Sequence, residues 1–592
     1  LRSGLTGRRF ELAADKAVRS KAVLTVPAFA PPAPVPDVAA ERALAAADRL
    51  LAGSIEVFGR TVPLHLADGP GGDWHRDPVT DTTWPADPWW RIDLRGDGRA
   101  GDVKWVWEAA RHRHLVVLAR AAHLRPDDHR AAGALASGLV GWSELVPLER
   151  GVHWISNLEL ALRSLAWLQA LALAPHAVVG HAQTVCEREL RVVRRHLELG
   201  LARTAGSMPN NHLVGDLVGL AVLQQAFGAD PDRTDALLLE QLGREVRPDG
   251  STIEESLSYH RFVLELLALR VLAGGAPEEV RAVFGRLAQW LCRLGVLEGE
   301  VPQHGDWDEG RAITAVGDVH ALAGSARLGL ALAGDGAPDE WRAQHDEVAW
   351  HAGVGEPLAP DPAERDGHDL GGGIARVQRG DWTVWLRASG GGWHGHADHT
   401  SVVVQHQGRT VVGDPGTGAY NGPLEERTWF RSSAAHDVLV LDGEDQLVPH
   451  RQFRWRHTAA GTLSPPTDDG DATVVTAEHD AYRRLDPRRR VRRTVRSTPD
   501  AVVITDEVDP TSGSWSLAIP LAPGVEHDDG VLHLPSGLVL HLHLPAGDLE
   551  VVAGGRWSPT YGSTTTSTRL VLRGRAADGP LVWGISIHGE LA

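Results

Sequence analysis

Cysteine is almost absent from this chain. Cys186 and Cys292 are the only two in 592 residues, which excludes a disulfide framework and a cysteine-type zinc site. Both are expected to be buried as small apolar residues. Long apolar runs are missing too, since no window reaches the roughly 18–20 apolar residues of a membrane helix. The first residues, LRSGLTGRRFELAADKAVRSKAVLTVPAFAPPAPVP, carry basic side chains but no unbroken apolar segment followed by a small-residue cleavage site, so no signal peptide is visible. Positive charge is in deficit. A net charge of −18 argues against non-specific binding to nucleic acid or an anionic membrane, because the long-range field repels both. An acidic polymer as substrate then needs a locally basic site. Hydrophobic content of 43% and charged content of 23% are ordinary for a soluble globular protein, and the length favours about three to four domains.

The chain changes texture along its length. Residues 26–36, VPAFAPPAPVP, read as an extended linker or strap. From about residue 100 apolar positions recur at helical spacing: Val103, Val106, Trp107 and Ala110, then Leu158, Ala161, Leu162 and Leu165. The pattern returns at Val214, Leu217, Val218 and Ala221, and at Tyr259, Phe262, Val263 and Leu266. Intervals of roughly fifty residues suit stacked helical hairpins over about 40–345. The Pro/Gly/Asp-rich stretch 353–373 is a boundary. Beyond it, runs such as WTVWLRA, SVVVQHQGRTVVGD, AVVITDEV and LVWGISIHG alternate with turn residues and predict antiparallel sheets packed as a sandwich.

Several clusters can carry chemistry. GGWHGHADHTSVVV (391–404) places His394, His396 and His399 with Asp398 ahead of a β-branched run, and histidine suits proton transfer and metal binding near neutral pH. On a strand His394 and His396 would share one face. With Asp414 in VVGDPGTGAY and His436 in RSSAAHDVLV, a His–Asp–His zinc site is a sound reading. Asp414 equally suits a turn before Pro415. In SMPNNHLVGDLVG, Asn210 or Asn211 can cap a helix and leave His212 on its first turn, near unpaired backbone N–H groups. In RPDGSTIEESLSYHRFVLELL, Asp249 and Gly250 make a turn and Ser251 with Glu254 reads as a capping box. Tyr259 and His260 follow, Tyr259 heading an apolar stripe in a chain with only four tyrosines. PQHGDWDEGR (302–311) is a carboxylate-dense loop without EF-hand spacing. The basic run YRRLDPRRRVRRTVR (482–496) fits either a polyanion contact or a solvated strand.

Taken in order, these blocks resemble the heparinase II/III-like polysaccharide lyases: GDVKWVWEAARHRHL, HWISNLELALR, PNNHLVGDLVGL, DGSTIEESLSYHRFVLELL and HGDWDEGR, then HGHADHTSV, VVGDPGTGAYNG and WFRSSAAHDVLVLDG. The resemblance runs from about residue 80 to 510. It implies a multidomain α+β chain: an extension and strap over 1–90, an (α/α) toroid of helical hairpins over 91–355 and an antiparallel β-sandwich over 366–592, with the active site in the cleft between the last two. It implies that His394 faces the substrate and that His396, Asp414 and His436 bind a divalent metal, zinc in a structural role, with calcium the alternative. It assigns Asn211, His212, Tyr259 and His394 to catalysis. Asn210, Glu254, His260, Tyr420 and Arg431 are expected around the substrate. A second catalytic tyrosine occurs in some relatives, and Tyr420 is the one tyrosine in that interval. A secreted or periplasmic protein is expected of the family.

The chemistry implied is β-elimination at a 4-linked uronic acid in an acidic polysaccharide, glycosaminoglycan-like or an exopolysaccharide. The C5 proton becomes acidic only when the neighbouring carboxylate is neutralised, and an amide such as Asn211 at a helix N-terminus can do that. Tyr259 suits the acid that protonates the leaving oxygen, with His212 and His394 as base and transition-state support. The alternatives are a metal-dependent hydrolase working through a bound water and a non-catalytic uronate-glycan-binding protein. No nucleic acid or membrane partner is expected.

Overall fold

The computed structural model describes residues 2–64, 74–94, 101–204, 210–314, 316, 322–388, 392–421, 423–575 and 579–591; Gly391, the first residue of the 391–404 cluster, lies outside the described residues, as do 65–73 of the N-terminal extension. Two compact units emerge rather than three or four. The first comprises Leu1–Glu245, Arg261–Ala288 and Gly310–Ala359, and the second Val246–His260, Gln289–Glu309 and Pro360–Ala592. The N-terminal extension belongs with the helical unit: helix Arg2–Val18 packs on His181–Thr204 and helix Asp37–Leu51 on Arg113–Leu124. The strap is tied to the same unit by Thr25 N–H donating to the Ala226 carbonyl at 2.7 Å.

Fourteen α-helices fall between Arg2 and His351 among the described residues, and those of the first unit pack as successive hairpins, the arrangement of an (α/α) toroid. Helix Asn157–Leu173 is buried nearly all round, as a helix with apolar residues on every face must be. It packs between Arg113–Leu124 and Asn211–Ala226. Gly215 and Gly219 permit that approach, because a Cβ at Gly219 would lie 2.4 Å from the Ala161 Cβ. Buried charges are paired, as Arg120 with Asp346 at 2.6 Å and Arg311 with Glu265 at 2.8 Å. No described helix is long and apolar enough to cross a membrane.

The second unit is built on antiparallel sheets. One is a five-stranded meander from Asp366–Asp369 to Arg409–Val412 in sequence order. A nine-stranded sheet includes Ala472–His479, Arg490–Ser497, Ala501–Asp509 and Leu581–Ser586. A four-stranded sheet holds Leu439–Leu441, Ser514–Pro520, Thr565–Arg575 and Asp548–Trp557. Their inward residues, among them Val384, Val404, Val495, Ile504, Leu517, Leu572 and Trp583, share one core, which makes the packing a sandwich. The basic run forms strand Arg490–Ser497. Val491 and Val495 enter the core, exposed Arg492 pairs with Glu478, and Arg493 is buried against Asp506. Cys186 and Cys292 are free and buried.

Candidate active site and metal centre

Residues 302–309 and 392–400, both in the second unit, are loops held by backbone bonds. Gly305 has φ of +66°, and a Cβ there would meet the carbonyl oxygens of Glu255 and His394 at 2.3 and 2.6 Å. Only glycine fits that approach. Asp306 N–H donates to the His394 carbonyl at 2.7 Å, and His394 N–H donates to Glu254 at 3.2 Å. Gly392 N–H is taken by the Glu255 carboxylate at 2.8 Å. These bonds remove the HGH stretch from any ladder: it is turn and loop ahead of strand Val402–His406, not a strand carrying two imidazoles on one face.

The two imidazoles meet instead at one carboxylate. Asp306 is fully buried. Its Oδ2 accepts from His394 Nδ1 at 2.9 Å and its Oδ1 from His396 Nε2 at 3.1 Å. Arg427 reaches both oxygens at 2.6 Å. Burial alone would raise this carboxyl; Arg427 and the two imidazoles outweigh it and hold it well below the usual carboxylate range. An ionised Asp306 fixes the proton of His394 on Nδ1 and leaves Nε2 as an acceptor.

The Tyr259 ring lies on the His394 ring, 3.6 Å between centroids and 12° from parallel. Its hydroxyl donates to Asp308 Oδ2 at 2.7 Å and sits 3.2 Å from the Tyr420 hydroxyl. Burial, reinforced by the Asp308 carboxylate, pushes Tyr259 well above the ordinary phenol range; burial, with Asp306 next, does the same to Tyr420. Tyr561 accepts from Tyr420 N–H at 2.9 Å, so three of the four tyrosines in the chain gather here. Phe453 closes the group, 5.5 Å from the His394 ring and 5.0 Å from Tyr420.

The three residues that the resemblance implies for a metal converge, and Asp398 joins them. His396, Asp398, Asp414 and His436 offer ligand atoms all within 4.8 Å of one another. The donor set fits a zinc ion. His396 engages Asp306 through Nε2 and has a buried Nδ1 without a described hydrogen-bond partner. His436 gives Nε2–H to the Phe430 carbonyl at 3.1 Å, and its Nδ1 lies 3.3 Å from Asp414 Oδ2. Each imidazole thus has its outer nitrogen fixed by an acceptor, as metal-bound histidines do. Asp414 is also the turn residue, accepting from Gly416 N–H at Oδ1. Asp398 is held by Arg387 at 2.7 Å.

Other expected residues take quieter places. The Ser251–Glu254 capping box does not form, because the helix starts at Leu257; Ser256 accepts from Tyr259 N–H at 3.3 Å in the position of its cap, and Glu254 is fully buried. His260 packs on Trp290 at 4.6 Å. Arg431 is buried, its Nη1 donating to the carbonyls of Arg451 and Gln452 at 3.2 and 2.7 Å. In the helical unit Asn210 is the cap of Asn211–Ala226, accepting from Leu213 N–H at 3.1 Å; Asn211 is buried and His212 exposed. Asp306, Asp308 and Asp398 lie in clusters noted from the sequence but given no role there, and Arg427 was not singled out. The carboxylate density of HGDWDEGR and the i, i+4 pair Arg427–Arg431 on a short helix were the available signals.

Residues 362–586 match the family model described as heparinase II/III-like, C-terminal. No curated protein matches the chain. Among solved structures, a heparinase III is 15% identical over 99% of this chain and 92% of its own, with a TM-score of 0.63. A heparan sulfate lyase HepC mutant from Pedobacter heparinus is 15% identical over 100% and 90%, TM-score 0.56. The Streptomyces coelicolor A3 chondroitin AC lyase in complex with chondroitin sulphate is 15% identical over 94% and 79%, TM-score 0.53. Identity this low speaks for the fold alone: the chain shares the helical-then-sandwich fold of these structures, and its residues 362–586 resemble the heparinase II/III-like C-terminal domain.

Proposed function

We propose that the protein is a polysaccharide lyase that cuts a 4-linked uronic-acid-containing polysaccharide by β-elimination. The observation that carries this is the stacked Tyr259–His394 pair, each ring held by its own carboxylate, Asp308 and Asp306. His394 Nε2 takes the C5 proton; Asp306 then faces the imidazolium that forms. The electron pair makes the C4–C5 double bond, the C4–oxygen bond breaks, and the Tyr259 hydroxyl protonates the leaving oxygen. A raised phenol pKa favours this acid role, since Tyr259 holds its proton until a strong base, the departing alkoxide, is present. The Tyr420 hydroxyl, 3.2 Å away, can donate to the phenolate left behind. In the same reading Asn211 hydrogen-bonds the uronate carboxylate and His212 supports it.

His396, Asp398, Asp414 and His436 would hold the metal, and two imidazoles beside two carboxylates favour zinc over calcium. Bound there, a divalent ion supplies a structural cross-link between the 392–400 loop and the segments carrying Asp414 and His436.

The test is a panel of uronate polymers followed by the ultraviolet absorbance of the unsaturated product. Tyr259→Phe should lower turnover about 10²–10⁴-fold with the fold intact, because the ring still stacks on His394. A near-normal rate for that variant on a polymer the parent cuts removes Tyr259 from the mechanism. Polymer shortening without unsaturated product would favour the metal-dependent hydrolase instead.

A further inference from the structure

On a chain of net charge −18, residues 446–467 contain no Asp or Glu and three arginines, Arg451, Arg454 and Arg456. They sit on a tight hairpin, strand Pro449–His450 paired antiparallel with Arg454–Trp455. All three side chains belong to exposed residues, and none makes an ion pair with a described residue. What sets these three apart is that they cluster in a stretch free of carboxylates, where like charges repel one another and an incoming anion would relieve them.

The hairpin is also fastened to the catalytic group. Arg431 donates to the Arg451 and Gln452 carbonyls, and Arg427, which grips Asp306, donates through Nε to the Gln452 carbonyl at 3.3 Å. The tip residue Phe453 rests against His394 and Tyr420. Arg454 stands over Trp393, the residue beside His394, with 5.9 Å from its guanidinium carbon to the ring centroid. A guanidinium above an indole beside the reacting histidine pairs an anion-binding fork with a flat face for a sugar ring.

We infer that the 449–455 hairpin is a specificity element in which Arg451 and Arg454 bind an anionic substituent, carboxylate or sulfate, on a sugar unit next to the one being cut. The polymer's identity rests on the lyase reading; the demand for negative charge rests on the hairpin. The anchoring arginines 427 and 431 set its position, and Arg451 and Arg454 supply the recognition.

Calorimetry on the full chain tests this, with Tyr259→Phe as the background so that nothing is turned over. The probes are a sulfated glycosaminoglycan oligosaccharide and the same oligosaccharide desulfated. Adding Arg451→Ala and Arg454→Ala should weaken binding about ten- to a hundredfold, the range expected for losing charge-assisted hydrogen bonds. Arg454→Lys alone should retain most of the affinity and controls for folding. Loss confined to the sulfated probe identifies sulfate as the group read, and loss on both identifies the uronate carboxylate. Equal affinity with and without the two arginines, or no binding of either probe by the parent, overturns the inference. The lyase reading fails separately, if no polymer yields unsaturated product while hairpin-dependent binding persists.

Discussion

Replacing Asp306 with Asn changes one buried atom and sets four hydrogen-bond donors against it. In the native site two oxygens accept from His394 Nδ1, His396 Nε2 and both terminal nitrogens of Arg427. An amide of the same shape offers one acceptor oxygen and turns an N–H₂ toward two of those donors. Removing one partner of a buried ion pair costs about 3–5 kcal/mol, so the variant should melt earlier but can still fold. The effect on rate follows from the tautomer. With an amide N–H₂ facing Nδ1, His394 moves its proton to Nε2, the nitrogen proposed to take the C5 proton, and turnover should fall about 10²–10⁴-fold. With the amide turned the other way it is His396 that loses its acceptor, and such outer partners are worth about 10–100-fold in metal affinity. The assay is kcat and KM on a polymer the parent cuts, with metal content measured on the same preparation. A fall in kcat with little change in KM is expected where the N–H₂ faces His394, and weaker metal retention where it faces His396. An Asp306→Asn protein that turns over within about threefold of the parent and keeps its metal would refute the carboxylate's part in orienting either histidine.

Two further outcomes follow. His394→Ala should keep metal and melting temperature but lose turnover, whereas His396→Ala should lose the metal first and activity as a consequence; metal content, melting and rate measured side by side decide it, and both variants behaving alike would contradict the division. Burial lifts Asp216 in the helical unit from 3.8 to about 7, against a lowering contribution from Asn157. A carboxyl raised in this way leaves folding unpenalised below about pH 4, penalises it increasingly up to pH 7 and fully above, by about 2–4 kcal/mol. Asp216→Asn should therefore raise denaturation midpoints at pH 8 and leave them nearly unchanged at pH 4, and an equal shift at both would count against that shift.

Much of the fold was legible because periodicity reports burial directly. The stripes headed by Val103, Leu158, Val214 and Tyr259 all lie on helices, and the Val-rich runs after residue 373 are strands. The resemblance brought His396, Asp414 and His436 to one place, while Asp398, inside the very cluster first noticed, went unread as a ligand. Strands such as Asp548–Trp557 escaped notice because nearly every residue is exposed, which leaves no apolar alternation to read, and Gly554–Gly555 interrupts the run at a bulge. Asp306, Asp308 and Arg427 were opaque for a different reason. Loop carboxylates look alike in sequence whether they face water or a buried guanidinium, and only the close approach at Gly305 decides between them. The His394–His396 strand expectation failed on the same ground, because backbone N–H groups bonded to the Glu254 carbonyl and the Glu255 carboxylate are lost to a ladder.

Chain connectivity gives the site a vulnerability that its compactness conceals. Tyr259 closes the 246–260 stretch, Asp306 and Asp308 lie in 289–309, and His394, Tyr420 and Arg427 come from the sequence after 360, yet all belong to one compact unit. Composition places the natural cut in the Pro/Gly/Asp-rich stretch at 353–373. A fragment begun there would keep every proposed metal ligand and lose the anion that balances Arg427, leaving a guanidinium buried without either of its carboxylate bonds. Such a fragment inherits the candidate ion-binding group and forfeits the carboxylate that neutralises the buried Arg427. Modular excision, routine for a domain whose boundaries coincide with one segment of chain, is closed to this one, and insertions or recombination between residues 261 and 288 would be tolerated only if they returned the chain to deliver Asp306 to the same carbonyl of His394.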